Sequence, residues 1–196
     1  MKQLKTERDI IDLIREDEWM MDILRVAEKL NLPDWWIGAG FIRSKVWDYL
    51  HGYKKRTPLP DVDLIYFDKD DFAGEDENFS TKAEDKYQEE ISKFNDNVKW
   101  SVTNQARMHL AHRREPYKNS EEGLSEWSET ATCVGVRLEN GKLKLIAPYG
   151  VSDLVNLIVR PIPAYETKFG YDPDVFKTRI RDKEWLKKWP KLKVAD

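Results

Sequence analysis

A chain of 196 residues, 35% charged and 40% apolar with a formal net charge of −3, has the balance of a globular protein with room for one substantial core. No apolar run approaches the roughly 18–20 residues of a membrane-spanning helix, and charge follows the basic start Met1 to Lys5 where a secretory signal would need an apolar stretch. The single cysteine, Cys133, excludes an internal disulfide and a cysteine-rich zinc site, so the expectation is a cytoplasmic protein with no membrane partner and no global attraction to nucleic acid.

From Glu7 to Leu30 apolar residues recur at helical spacing, with a break near Glu16-Asp17-Glu18, which predicts one or two amphipathic helices. Leu32-Pro33-Asp34 ends that stretch, and Trp35-Trp36-Ile37 reads as a short buried strand. Gly38-Ala39-Gly40 breaks the strand. Ile42, Val46, Tyr49 and Leu50 then share one helical face, with Gly52 placed to end the helix. Beyond a basic, proline-bearing loop, Asp61 to Phe67 has strand composition. The acidic stretch Asp68 to Ser80 predicts a solvated loop, Thr81 to Phe94 an exposed helix, and Val98 to Val102 a third strand followed by the polar, basic run Thr103 to His109. Ala131 to Leu138 and Lys142 to Ile146 flank Glu139-Asn140-Gly141, a strong hairpin signal. Val151 to Val159 reads as a short helix, then an extended loop, and Asp174 to Trp189 as a charged helix stopped by Pro190. Eight tryptophans lie mostly in apolar runs, where core packing explains them better than base stacking.

Asp61 and Asp63, two positions apart on a strand, project from the same face. Like charges so close repel unless a cation or hydrogen-bond donors compensate, and a hard divalent ion such as magnesium meets both needs; pairing with Lys54, Lys55 or Arg56 is the plainer reading. The glycine turn before the helix allows close backbone approach to a ligand, and the first amides of that helix make an anion site. Arg43, in its first turn, can hold a triphosphate or pair with the aspartates.

Gly38-Ala39-Gly40-Phe41-Ile42-Arg43, a helix ending at His51-Gly52, and Pro60-Asp61-Val62-Asp63-Leu64 together resemble the signature of the nucleotidyltransferase superfamily, and in order and spacing the head of CCA-adding enzymes and bacterial poly(A) polymerases. Trp36 to Trp47, Asp61 to Asp68, Trp100 to His109, Trp127 to Leu138 and Ala147 to Gly150 are similar to a smaller bacterial family assigned to that superfamily. The resemblance implies an α/β (α+β) nucleotidyltransferase fold with a short mixed central sheet flanked by helices. The expected organisation is a single domain over 1–196, with N-terminal helices at 7–30 and a C-terminal helical extension at 170–196. It implies transfer of a nucleoside monophosphate from a nucleoside triphosphate (NTP) to a hydroxyl acceptor, with Mg2+ (or Mn2+) on Asp61 and Asp63 and the triphosphate on Gly38, Gly40, Arg43 and Lys45. Many members add a third carboxylate from a later strand; Lys99 to Thr103 carries none, which leaves Glu129 as the best substitute and Asp153 as a poorer one. Asn104 and Arg107, with Gln105 and His109, bind substrate or phosphate or else form a hydrogen-bonded structural corner. The acceptor, a small molecule, a protein or RNA, is open; the acidic balance and the absence of a long basic stripe favour a small molecule or a protein side chain over RNA. The rival readings are a catalytically silent nucleotide or metal binder and a single-stranded RNA-binding module built on the tryptophans and Arg107. His51 and His112 read as surface residues, Cys133 as a buried inert thiol.

Overall fold

The computed structural model describes residues 3–71, 80–112, 114–163 and 173–195. The N-terminal periodicity resolves into two helices, α1 (Glu7–Arg15) and α2 (Glu18–Lys29). Thr6 and Asp9 form a capping box at the start of α1, and Asp17 caps α2 by accepting from the Met20 amide. Such side-chain caps satisfy amides that a helix start leaves open, so Asp17 fixes the break. Ile10, Ile14, Met20, Ile23 and Leu24 on their inner faces are fully buried.

β1 (Trp36–Gly38) is followed by α3 (Gly40–His51), which ends on Gly52 in the left-handed conformation, φ 74°. β2 (Val62–Tyr66) then runs antiparallel to β1. α4 (Lys82–Phe94) crosses over to β3 (Trp100–Asn104), the kind of connection a parallel pair needs, and β3 lies parallel to β2. After α5 (Gln105–Ala111) and α6 (Ser120–Ser125), β4 (Gly135–Glu139) pairs with the other edge of β1. β4 returns through Asn140 and Gly141, at φ 51° and 74°, to β5 (Lys142–Ile146). Positive φ at both turn residues is what an Asn-Gly hairpin requires. The five-stranded mixed sheet has the order β3-β2-β1-β4-β5. α1 and α2 pack near β5 and β4, and α3 packs against β1 and β2.

Several segments differ from the sequence reading. The expected helix Val151 to Val159 stops early: α7 (Ser152–Val155) gives way to β6 (Ile158–Val159), which pairs in parallel with β7 (Lys193–Val194). The partner strand is more than thirty residues away, so no local pattern announces it. The third strand reaches Asn104, and the polar run after it is helical in α5, because the Asn104 side chain accepts from the Ala106 amide and starts a helix. α4 is amphipathic rather than simply exposed, with Glu84 and Ile91 buried. The C-terminal helix is broken into α8 (Pro173–Asp182) and α9 (Trp185–Lys188) at Glu184, φ 52°. That bend accompanies packing of Trp185 and Trp189 edge-on against Trp47, at centroid distances of 5.5 and 5.1 Å. Residues 72–79 of the expected acidic loop, and 164–172 of the expected extended loop, lie outside the described residues. Among the described residues no helix is long and apolar enough to cross a membrane.

Trp35, Trp36, Trp47, Trp100, Trp185 and Trp189 are buried, and Trp19 packs on the core. These seven tryptophans are therefore core, as their runs suggested; the eighth, Trp127, is half-buried. Buried Asp48 ties three parts together: it accepts from the Trp189 indole (2.7 Å), the Thr57 amide (2.8 Å) and the Thr57 hydroxyl (2.6 Å). The loop that leads to Asp61 is thus anchored on α3 and on the C-terminal segment.

Candidate active site

Asp61 stands just ahead of β2 and Asp63 is its second residue, so the two carboxylates leave one face of the strand. They line a cleft of about 500 Å³ together with Ala39, Gly40 and Arg43 from the start of α3, Thr132 and Trp127 from the segment before β4, and Arg179, Lys183, Trp185 and Lys188 from α8 and α9. Burial, and next to it the charge of Asp61, pushes the Asp63 carboxyl up to about 6; a hydrogen bond from Ser101 and the charges of Arg43 and Lys183 act against the rise. Ser101 is the register partner of Asp63 on β3. It stands beside the aspartate on the strand where a third acid was sought, and among the described residues no group of three His, Cys, Asp or Glu is clustered for a metal. Two oxygen-donor side chains with unrelieved mutual repulsion nevertheless suit a hard divalent cation whose remaining ligands come from substrate and water.

The turn between β1 and α3 is held by backbone bonds. The Ala39 amide donates to the Val134 carbonyl (3.0 Å), and its own carbonyl accepts from the amides of Ile42 (3.1 Å) and Arg43 (2.9 Å). Ala39 has φ 46° and ψ −113°, a conformation that favours glycine and costs an alanine about 1–3 kcal/mol, strain of the kind found at ligand sites. At Gly40 an added Cβ would meet nothing nearer than 3.8 Å, so the missing side chain opens this face to the cleft. Gly38 is different: a Cβ there would lie 3.0 Å from the Trp127 ring, and packing, not phosphate, demands the glycine.

Arg43 is only 7% exposed. Its guanidinium lies 4.3 Å from the Trp185 ring centroid and 5.3 Å from that of Trp47, and Nη1 donates to the Thr132 hydroxyl (2.8 Å). Nε has no hydrogen-bond partner among the described residues. Burial lowers its pKa to about 10, against the opposing pull of Glu129 and Asp63. It remains a cation at neutral pH, stacked between rings and lining the cleft.

Of the residues singled out in the sequence, the fold brings Asp61, Asp63, Gly40 and Arg43 together. It does not bring Lys45, Asn104 or Arg107 to them. Lys45 projects from α3 to Asp17 (2.6 Å), which also binds Arg56 (2.8 Å). Asn104 pairs with Tyr66 at the far end of β2 and is fully buried, bonded to the backbone of Asp68, Asp71 and Ala106. Arg107 binds both oxygens of Glu84 at 3.0 Å. These two make the structural corner that was the other reading of the segment. Glu129 is also placed differently from an activating base. It is fully buried, does not line the cleft, and accepts from Arg179 Nε at 2.5 Å, while its second oxygen has no hydrogen-bond partner among the described residues. Asp153 is engaged by Thr130 (2.7 Å) and Arg160 (2.8 Å). His51 is not a bare surface residue, since its ring bonds the Trp47 carbonyl (2.7 Å) and the Lys191 amide (3.0 Å). Cys133 is buried, and its thiol is pushed well above the ordinary range by burial.

Sequence reasoning missed Arg179, Lys183, Trp185 and Thr132. The signal was present in the spacing of Arg179 and Lys183, one helical turn apart, but a helix alone does not say what its face meets.

A strand-borne Asp-x-Asp beside a glycine-opened helix, on this mixed sheet, defines a nucleotidyltransferase-type head domain. The chain belongs to the nucleotidyltransferase family, which it matches over residues 25–194. It is similar, at 28% identity and a TM-score of 0.80 over 98% of this chain and 97% of the other, to a protein whose NMR structure reveals a CCA-adding enzyme head domain. It shares its fold with the Thermotoga maritima CCA-adding enzyme complexed with tRNA (14% identity, TM-score 0.54, 100% of this chain and 44% of that one). The same holds for a CCA-adding enzyme in complex with ATP (13% identity, TM-score 0.52, 100% and 43%). The chain thus spans less than half the length of these complete enzymes. No curated protein sequence matches it. Family membership and the head-domain likeness support a role in nucleotidyl transfer.

Proposed function

We propose that this protein transfers a nucleoside monophosphate from an NTP to a hydroxyl acceptor. The observation that carries the reading is one cleft in which two carboxylates from β2 face a glycine-opened helix start with a buried arginine. The acceptor hydroxyl gives up its proton to solvent, its oxygen attacks the α-phosphorus, the new P–O bond forms in line with the one that breaks, and pyrophosphate leaves with the electron pair. Asp61 and Asp63 would hold Mg2+ or Mn2+, which supplies charge neutralisation and alignment of the oxygens when bound. The open face of Gly40 lets phosphate approach the first amides of α3, and Arg43 adds fixed positive charge beside them. RNA is the acceptor class we favour: the CCA-adding enzyme of similar fold is complexed with tRNA, and a basic surface adjoins the cleft. Tyr53 donates to the Lys188 carbonyl (2.8 Å), which ties the loop that carries the exposed Lys54 and Lys55 to α9.

Pyrophosphate release with each of the four NTPs, with Mg2+ and small RNAs, tests the reading. Asp61→Asn and Asp63→Asn are expected to stay folded and to lose metal-dependent NTP binding and turnover; retention of both in either variant would remove the site. A second reading, a silent nucleotide binder, is favoured by Ser101 standing beside Asp63 where a third acid was sought. Mg2+-dependent NTP binding with no pyrophosphate from any acceptor would select it.

A further inference from the structure

Arg179 on α8 and Lys183, the residue just past its end, are four positions apart and both line the cleft. Arg179 is held in place: its Nε donates to Glu129 Oε1 at 2.5 Å, and Glu129 is fully buried. Lys183 is exposed, and its ammonium has no hydrogen bond or ion pair among the described residues. Burial, then Arg179 and Arg43, lowers its pKa, so the three cations are close enough to feel one another. Among the described residues the Arg43 guanidinium bonds a neutral hydroxyl by Nη1, and its Nε has no partner. One buried carboxylate answers Arg179; Lys183 and Arg43 face the cleft, where the charges opposing theirs are Asp61 and Asp63, the two carboxylates that the proposed metal would take. Crowded cations of this kind are relieved by an anion, and several spread along one wall suit a chain of phosphates better than a single one.

We propose that Arg179 and Lys183 form a polyphosphate clamp that takes the β- and γ-phosphates of the NTP and then the departing pyrophosphate, with Glu129 as the positioning residue that holds Arg179. The identification of the ligand as a nucleotide rests on the function proposed above; the clamp itself needs only polyphosphate.

Titration calorimetry on the full chain with MgATP, AMP and inorganic tripolyphosphate separates the two. Lys183→Ala is expected to weaken ATP and tripolyphosphate by about tenfold or more, the scale of a charged hydrogen bond, and to leave AMP unchanged. Lys177→Ala removes an exposed charge from the same helix outside the cleft and should change nothing. Glu129→Gln should raise KM for the NTP and keep kcat within about twofold, whereas loss of a general base would lower kcat by about 100-fold with binding spared. Wild-type affinity of Lys183→Ala for both polyphosphates overturns the clamp, as does a wild-type protein that binds neither. Because Lys183 is exposed, its removal leaves the core intact and the result readable. If tripolyphosphate binds through Lys183 but no nucleotide is transferred, the function proposed above falls and the clamp stands.

Discussion

Protonation of Asp63 competes with any cation the carboxylate pair holds. Its folded pKa, raised to about 6 by burial and by Asp61, lies above the value near 4 expected in the unfolded chain. The native protein therefore binds this proton more tightly than the unfolded one. The stability that comes from the protonated group is complete below about pH 4 and is lost as pH rises through 6. Metal affinity moves the opposite way. It is expected to climb about tenfold per pH unit up to about pH 6 and then to level off. Mg2+ titrations between about pH 5 and 8 check this, and an affinity flat across that range would mean that Asp63 is not the proton competitor. At Ala39, four residues before Arg43, strained backbone is kept rather than relaxed to glycine, and its carbonyl fixes where the amides of α3 begin.

The α8–α9 segment shows how an element acquires a role through packing. Glu184 in the left-handed conformation turns the chain so that Trp185 and Trp189 enter the core, while Arg179, Lys183 and Lys188 remain on the cleft. Trp189 packs on Trp47 and donates to Asp48, the residue that also anchors Thr57 in the loop before Asp61. Trp189→Ala should cost about 3–5 kcal/mol in denaturant unfolding, the usual loss for a buried tryptophan. It should also weaken NTP binding, because the cleft loses both the α9 wall and the loop anchor. A cost below about 1 kcal/mol would show that α9 is a loosely held appendage.

Across the whole molecule charge is unevenly spread. The formal net charge is −3, yet Lys177 to Lys193 carries eight Lys and Arg against two acids. The sequence reading weighed the total and saw no long basic stripe. The fold joins this segment to Lys54 and Lys55 through the Tyr53–Lys188 hydrogen bond, and Lys191 bonds the Leu50 carbonyl (3.0 Å) and the His51 ring. If RNA crosses this face, its affinity should fall steeply with salt, and Lys54→Ala with Lys55→Ala should reduce the log–log slope by about 1.4, the counterion share of two contacts to a single strand. Salt-independent binding, or none, would direct the search for the acceptor to small molecules and proteins.

What the sequence determined by itself is what neighbouring residues decide among themselves. The same-face geometry of Asp61 and Asp63 follows from strand alternation, the hairpin from Asn140-Gly141, the end of α3 from Gly52 and the break before α2 from the Asp17 cap; each depends on backbone geometry within a few residues. The mixed sheet and the meeting of the aspartates with Gly40 and Arg43 were legible too, as what the resemblance to the nucleotidyltransferase superfamily implies. The rest was settled by contacts between distant parts of the chain. Lys45 meets Asp17 from the other side of α3, Glu129 meets Arg179 fifty positions on, β6 finds β7, and α8 turns its cations toward Asp61. Only tertiary packing chooses which face of a helix is buried and what it meets, because that choice minimises exposed apolar surface and unpaired charge over the whole chain rather than along any one segment.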